Sequence, residues 1–191
     1  MITSNNAVGA LPREGAKLKF FSPVGDNKIP KCDLIYIGGA FPEVLGQSLE
    51  RNTTMRKMIK KHAEEGMPIY AECGGLMYLT KSISFGKKKY KMVGLFDAET
   101  QMTKKMTLNY TEGRITSNCL ISTPRKFRAH EFHYSKIGNL ARDAKLVYDL
   151  KIGEGISGKN DGLSEYNTLA SYCHLYFDSA KYATKLVSKR V

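Results

Sequence analysis

Apolar positions along the first half of the chain fall into three extended runs and one helical stripe. The runs are "KLKFFSPV" (17–24), "DLIYIGG" (33–39) and "PIYAEC" (68–73). The middle run is almost wholly apolar at its centre, as expected of a strand buried on both faces. Between the last two, Met55, Met58, Ile59, His62 and Ala63 recur at helical spacing, and Gly66 is placed to end that helix. Strand, helix, strand predicts a parallel crossover unit. A further helix is expected from about Gly74. Beyond it the pattern turns β-rich: "KMVGLFD", "MTLNYTEGRITSNCLI", "FRAHEFHYSKI", "AKLVYDLKI" and "TLASYCHLYF", with a short terminal helix over "DSAKYATKLVSKR". Together these predict an α/β fold of three layers around a mostly parallel sheet. The Gly-rich stretch "GEGISGKNDG" (153–162) has no phosphate-binding pattern and is expected to be a turn.

The strand at 68–73 ends on a thiol. Cys73 is followed by Gly74 and Gly75 and preceded by Ala71, the small neighbours that a sharp strand-to-helix turn requires. Such a turn lifts its central side chain out of the sheet. It also places that side chain at a helix N-terminus, where unsatisfied N–H groups and a partial positive charge favour an anion, so the Gly74 amide is a candidate oxyanion donor. A small buried cysteine would show the same pattern, since free cysteine is among the most buried residues. The second signal is "YIGGAFPE" (36–43), a buried strand ending in two glycines at the same sheet edge. Gly38, Gly39 and Ala40 are therefore candidates to aim a second backbone N–H, from Gly39 or Ala40, at the same oxygen.

Composition narrows the function classes. The chain has 191 residues, long enough for one sizeable core, and its 42% apolar and 25% charged content is that of a globular protein. Its N-terminus has neither a basic flank nor an apolar signal core, and no run is long enough for a membrane span, so a cytoplasmic protein without membrane attachment is expected. The net charge of +12 is scattered except at "RKMIKKH" and "FGKKKYK", which carry no nucleic-acid-binding signature; solvated faces are expected there. Cysteines 32, 73, 119 and 173 lie far apart with no C-x-x-C pair, which argues against a disulfide framework or a structural metal site.

A thiolate nucleophile wants a base. His62 lies in the basic helix, and His130 and His133 in "RAHEFHYS" fall on opposite faces if that segment is a strand. His174, in "LASYCHLYF", and His133 rank equally on the residues alone.

"YIGGAFPE", "YAECGGLMYLT", "HEFHYS" and "LASYCHLYF", in this order, closely resemble the class I glutamine amidotransferase domain of cobyrinic acid a,c-diamide synthases, from about Lys17 to Phe177. The resemblance implies a glutaminase that attacks the glutamine side-chain amide with Cys73, passes through a thioester and releases ammonia for ATP-dependent amidation of a corrinoid or related tetrapyrrole carboxylate. It also assigns the partner histidine to the segment holding His174. Most class I members carry an acid two residues beyond that histidine, where this chain has Tyr176; the cobyrinic branch lacks it too, so another group must orient His174. Glu43, Glu72 and Glu131, with His133, are candidates for supporting positions around the site.

Full-length members also have an ATP-binding synthetase domain. This chain has no G-x-x-x-x-G-K-[ST] pattern, so no cofactor is expected on it, and ATP and Mg2+ are expected on a synthetase partner. Residues 1–16 are expected to be an atypical or truncated lead-in and 17–191 the amidotransferase domain. A catalytically silent interaction domain, or a stand-alone glutaminase subunit of another ligase, are the alternatives left open.

Overall fold

The computed structural model describes residues 11–13, 15–121 and 125–176. The elements in order are β1 (Ile35–Ile37), α1 (Gly46–Arg51), α2 (Thr53–Glu64), β2 (Ile69–Glu72), α3 (Gly74–Leu79), β3 (Ser82–Phe85), β4 (Lys88–Lys91), β5 (Glu99–Ile115), β6 (Lys126–Gly138), β7 (Lys145–Ile152), β8 (Asn160–Glu165), β9 (Thr168–Ser171) and β10 (His174–Leu175). One sheet holds all ten strands in the order β1-β2-β9-β8-β7-β5-β3-β4, with β6 on β5 and β10 on β6.

The expected crossover is present. α2 starts on Asn52, whose side chain accepts from the Met55 N–H at 3.1 Å, and Gly66 follows its end at φ 85°. Met55, Ile59 and Ala63 form its fully buried stripe. Burying Met55 and Ile59 stabilises the unit by about 1.5–3 kcal/mol each. β1 and β2 then pair in parallel, Ile35 opposite Ile69 and Ile37 opposite Ala71. β2 is buried on both faces: Ile69 and Ala71 join one core cluster, Tyr70 the other.

The α/β fold is the one expected, and its parallel ladders lie where the site forms: β1–β2, β2–β9 and, further along, β3–β5. The remaining pairings are antiparallel, because short turns join β3 to β4, β7 to β8 and β8 to β9, and the long β5 pairs with β6 and β7. Three expectations are corrected. Residues 17–24 form no strand: Phe20 stands 74% exposed, so the alternating run finds no sheet face to cover. Residues 92–95 run as irregular chain between β4 and β5, pinned by hydrogen bonds to Tyr78, Leu79, Thr80 and Lys81. "TLASYCHLYF" is two strands, with Tyr172 and Cys173 between them. The expected terminal helix lies outside the described residues.

Candidate active site

Cys73 occupies the junction of β2 and α3 at φ 49° and ψ −103°. A β-carbon-bearing residue pays roughly 1–3 kcal/mol for such a backbone, so surrounding structure must impose it. Here the imposition is visible on both sides. The Cys73 N–H donates to the Ser171 carbonyl at 2.7 Å, and its carbonyl accepts from Met77 in the first turn of α3. A β-carbon on Gly75 would stand 2.2 Å from the Ile37 carbonyl oxygen, and one on Gly74 2.4 Å from the Ala40 oxygen and 2.6 Å from its nitrogen. The 38–40 turn and the elbow are thus packed backbone to backbone, and only glycine allows it. Gly38 is buried within that turn, while Gly39 and Ala40 are half-buried. Gly74 opens α3, where helix geometry leaves its N–H without an intrahelical partner.

The thiol is 6% exposed and lies 3.4 Å from the Phe132 carbonyl oxygen of β6. His174 reaches the same spot by a distinct route. After β9 pairs with β2, Glu72 opposite Ser171, the chain turns through Tyr172 and Cys173 and lands β10 on β6, His174 opposite His130. Asp161 holds that turn: its carboxylate accepts from the backbone N–H groups of Gly162 at 2.6 Å, Tyr172 at 3.3 Å and Cys173 at 3.3 Å. Burial foremost pushes the Asp161 carboxyl up to about 6, against the N–H donors that lower it.

His174 is 8% exposed and its Nδ1 lies 3.5 Å from Glu72 Oε2, within ion-pair range but without hydrogen-bond alignment. Glu72 is fully buried and firmly held. Tyr36 donates to its Oε2 at 2.7 Å, while Tyr70 at 2.9 Å and the Leu175 N–H at 3.1 Å donate to Oε1. Burial, with Glu72 beside it, keeps the Tyr70 hydroxyl protonated well above its ordinary range, so it stays a donor. Burial alone would lower His174, but its interactions with Cys73 and Glu72 outweigh that and push it up to about 10. An imidazolium between a thiol and a carboxylate can hold an anionic sulfur and hand a proton to a leaving group.

The other candidates are placed elsewhere. His133 faces inward, stacks on Tyr172 with ring centroids 3.7 Å apart, and its Nδ1 lies 2.9 Å from the Ser135 carbonyl oxygen. Glu131 clamps a loop, accepting from the N–H groups of Gly155 at 2.7 Å and Glu154 at 2.9 Å. Its carboxylate approaches Asp161 and Cys173, whose ligand-type atoms all lie within 4.8 Å of one another, but both carboxylates are engaged by backbone donors. Glu43 is half-buried in the turn before α1 with Oε2 unpartnered, and burial raises its carboxyl. His62 sits on α2, 3.8 Å from Glu65. Sequence reasoning missed His130, whose ring stacks on His174, and the two tyrosines that hold Glu72. Period-two spacing already put Tyr70 and Glu72 on one face of β2.

Comparison with known proteins bears on the family and the fold. The CobB/CobQ-like glutamine amidotransferase domain matches residues 3–182. A cobyrinate a,c-diamide synthase of Sulfurisphaera tokodaii is 45% identical over 166 residues, covering 86% of this chain and 38% of that protein. One of Methanosarcina barkeri is 42% identical over 176 residues, covering 85% and 36%. The chain therefore spans under two fifths of these relatives. Among solved structures, a chain from PurLQS of Thermotoga maritima has a TM-score of 0.73 at 16% identity, covering 96% of this chain and 91% of that one. A further structure described as a glutamine amidotransferase has a TM-score of 0.60 at 17% identity, covering 89% and 84%. At such identities these structures speak for the fold. No helix among the described residues is long and apolar enough to cross a membrane.

Proposed function

Because the chain belongs to the CobB/CobQ-like glutamine amidotransferase family, we propose that it hydrolyses glutamine through a thioester on Cys73 and passes the ammonia to a synthetase partner. The observation that carries this is the strained Cys73 elbow with His174 beside it and buried Glu72 behind. The Cys73 sulfur attacks the side-chain amide carbon of glutamine. The amide oxygen takes the negative charge and is received by the Gly74 N–H and an N–H of the Gly39–Ala40 turn. The tetrahedral adduct collapses as His174 gives its proton to the departing nitrogen, which leaves as ammonia and forms the γ-glutamyl thioester. Neutral His174 then takes a proton from water, hydroxide adds to the thioester, and glutamate leaves with the thiolate restored. Glu72 stabilises the imidazolium that alternates in both halves, the task that Tyr176 cannot perform.

The ammonia is destined for ATP-dependent amidation of carboxylates on cobyrinic acid or a related tetrapyrrole, with ATP and Mg2+ on the partner. Support for this comes from the relatives, which are cobyrinate a,c-diamide synthases, and from their greater length. The test follows glutamate release by the chain alone and with a separately expressed ATP-binding portion of a relative, ATP, Mg2+ and a corrinoid carboxylate. Glutamate in both arms and amide only in the second is expected. Glutamate in neither arm would instead fit a catalytically silent domain.

A further inference from the structure

His174 is held at its Nδ1 by an ion-pair contact that lacks hydrogen-bond alignment. Such a contact constrains the ring plane only weakly, since the terminal torsion of a histidine is broad. Yet the plane decides whether the ring can face the Cys73 sulfur. Two features of the structure set it. One edge lies against the backbone of Gly39, where a β-carbon would stand 2.6 Å from His174 Cε1. One face lies against His130, with ring centroids 4.7 Å apart and planes 9° from parallel.

This stack is built into the strand register. β6 and β10 pair antiparallel with His174 directly opposite His130, so the two side chains leave the sheet on the same side as a cross-strand pair. β10 is anchored just beyond His174: the Leu175 N–H donates to Glu72 and the Tyr176 N–H donates to the Arg128 carbonyl at 3.3 Å. Tyr176 meets the far ring of the pair edge-on, 6.1 Å from His130 at 67°. The residue standing where an orienting acid would be expected therefore buttresses the stack instead. Burial and the neighbouring His174 both lower His130 and outweigh Glu72, which raises it, so the ring favours its neutral form beside an imidazolium.

We propose that His130 is a positioning residue of the glutaminase site, whose stacked ring holds the plane of His174 toward Cys73. This rests on the Cys73–His174 glutaminase reading. His130 touches no reacting atom in this assignment; it acts through His174, and what it contributes is a flat neutral ring.

The test compares the wild-type chain with His130→Phe, which keeps a flat ring, and His130→Ala, which removes it, after melting curves establish that each folds. If the alanine variant does not fold, His130→Gln takes its place. The readout is the saturable labelling of Cys73 by a diazoketone analogue of glutamine, which separates the maximal rate from the half-saturating concentration. The alanine variant should lose roughly 10- to 100-fold in maximal rate, the scale of a misplaced catalytic group, with half-saturation nearly unchanged. The phenylalanine variant should recover to within about threefold of wild type, well inside that loss. Equal losses in both variants, or an alanine variant within twofold of wild type, overturn the proposal. A wild-type chain that leaves Cys73 unlabelled overturns the glutaminase reading itself and this proposal with it, a pattern distinct from the variant outcomes.

Discussion

Replacing Glu72 by glutamine tests what holds the charge on His174. The substitution keeps the shape of a fully buried side chain but removes its charge and one acceptor, so the donors Tyr36, Tyr70 and the Leu175 N–H can no longer all be satisfied as they are. It also removes the carboxylate 3.5 Å from His174 Nδ1. Leaving the buried His174 nitrogen without its carboxylate costs about 1–3 kcal/mol, and at 1.36 kcal/mol per decade the loss predicts a fall of roughly 5- to 150-fold in the rate of thioester formation. The pH dependence of stability gives a second, sharper readout. His174 sits at about 10 in the folded chain, above the ordinary 6.5 of an unfolded histidine. A raised folded value means stability that is fully present below about pH 6.5 and lost as pH rises through about 10. Glu72→Gln removes part of that rise, so the variant's deficit in melting temperature should be widest near pH 6 and shrink toward pH 10. A deficit independent of pH, or a labelling rate within twofold of wild type, would refute the assignment of Glu72.

Three other perturbations probe the elbow, the Asp161 turn and α2. Gly75→Ala places a β-carbon 2.2 Å from the Ile37 carbonyl oxygen, which is backbone and cannot swing aside; it should destabilise by about 1–3 kcal/mol or more, read by urea unfolding. Asp161, pushed up to about 6 by burial, costs stability as pH rises from about 4 through about 6, amounting to about 3 kcal/mol at neutral pH. In Asp161→Asn the fall in melting temperature across that window should flatten; an unchanged slope would contradict it. His62→Ala, half-buried on α2 beside Glu65, should change stability by no more than about 1 kcal/mol and leave glutamine hydrolysis as it was.

The elbow was legible because three sequence features converge on it: an apolar extended run, a small-residue turn and a helix start. Its partner was not, because His174 and His133 both lie in apolar, strand-like segments, and only the break at Tyr172 and Cys173, held by Asp161, sends His174 onto β6. Long-range backbone bonds of that kind leave no local trace. The β3–β4 hairpin was hidden differently: "SFGKKKY" reads as a basic run, yet Gly86 at φ 60° closes a two-residue turn and the lysines line an edge strand, where charge is expected. The run at 17–24 misled in the opposite sense, since alternation predicts a strand only where a sheet face waits to receive it. Tyr36 was legible as a buried-strand residue but not as a support of Glu72, which required the parallel register setting it opposite Tyr70.

The central claim is that one thiol of four carries the chemistry. Cys32, Cys119 and Cys173 lack the elbow, and burial foremost pushes the Cys173 thiol well above its ordinary range. Incubating the chain with glutamine, quenching in acid and mapping peptides by mass spectrometry reads the intermediate itself. A γ-glutamyl adduct on the Cys73 peptide alone, absent in Cys73→Ser, is the predicted result. Glutamine hydrolysis that persists in Cys73→Ser, or an adduct on any other cysteine, would contradict it.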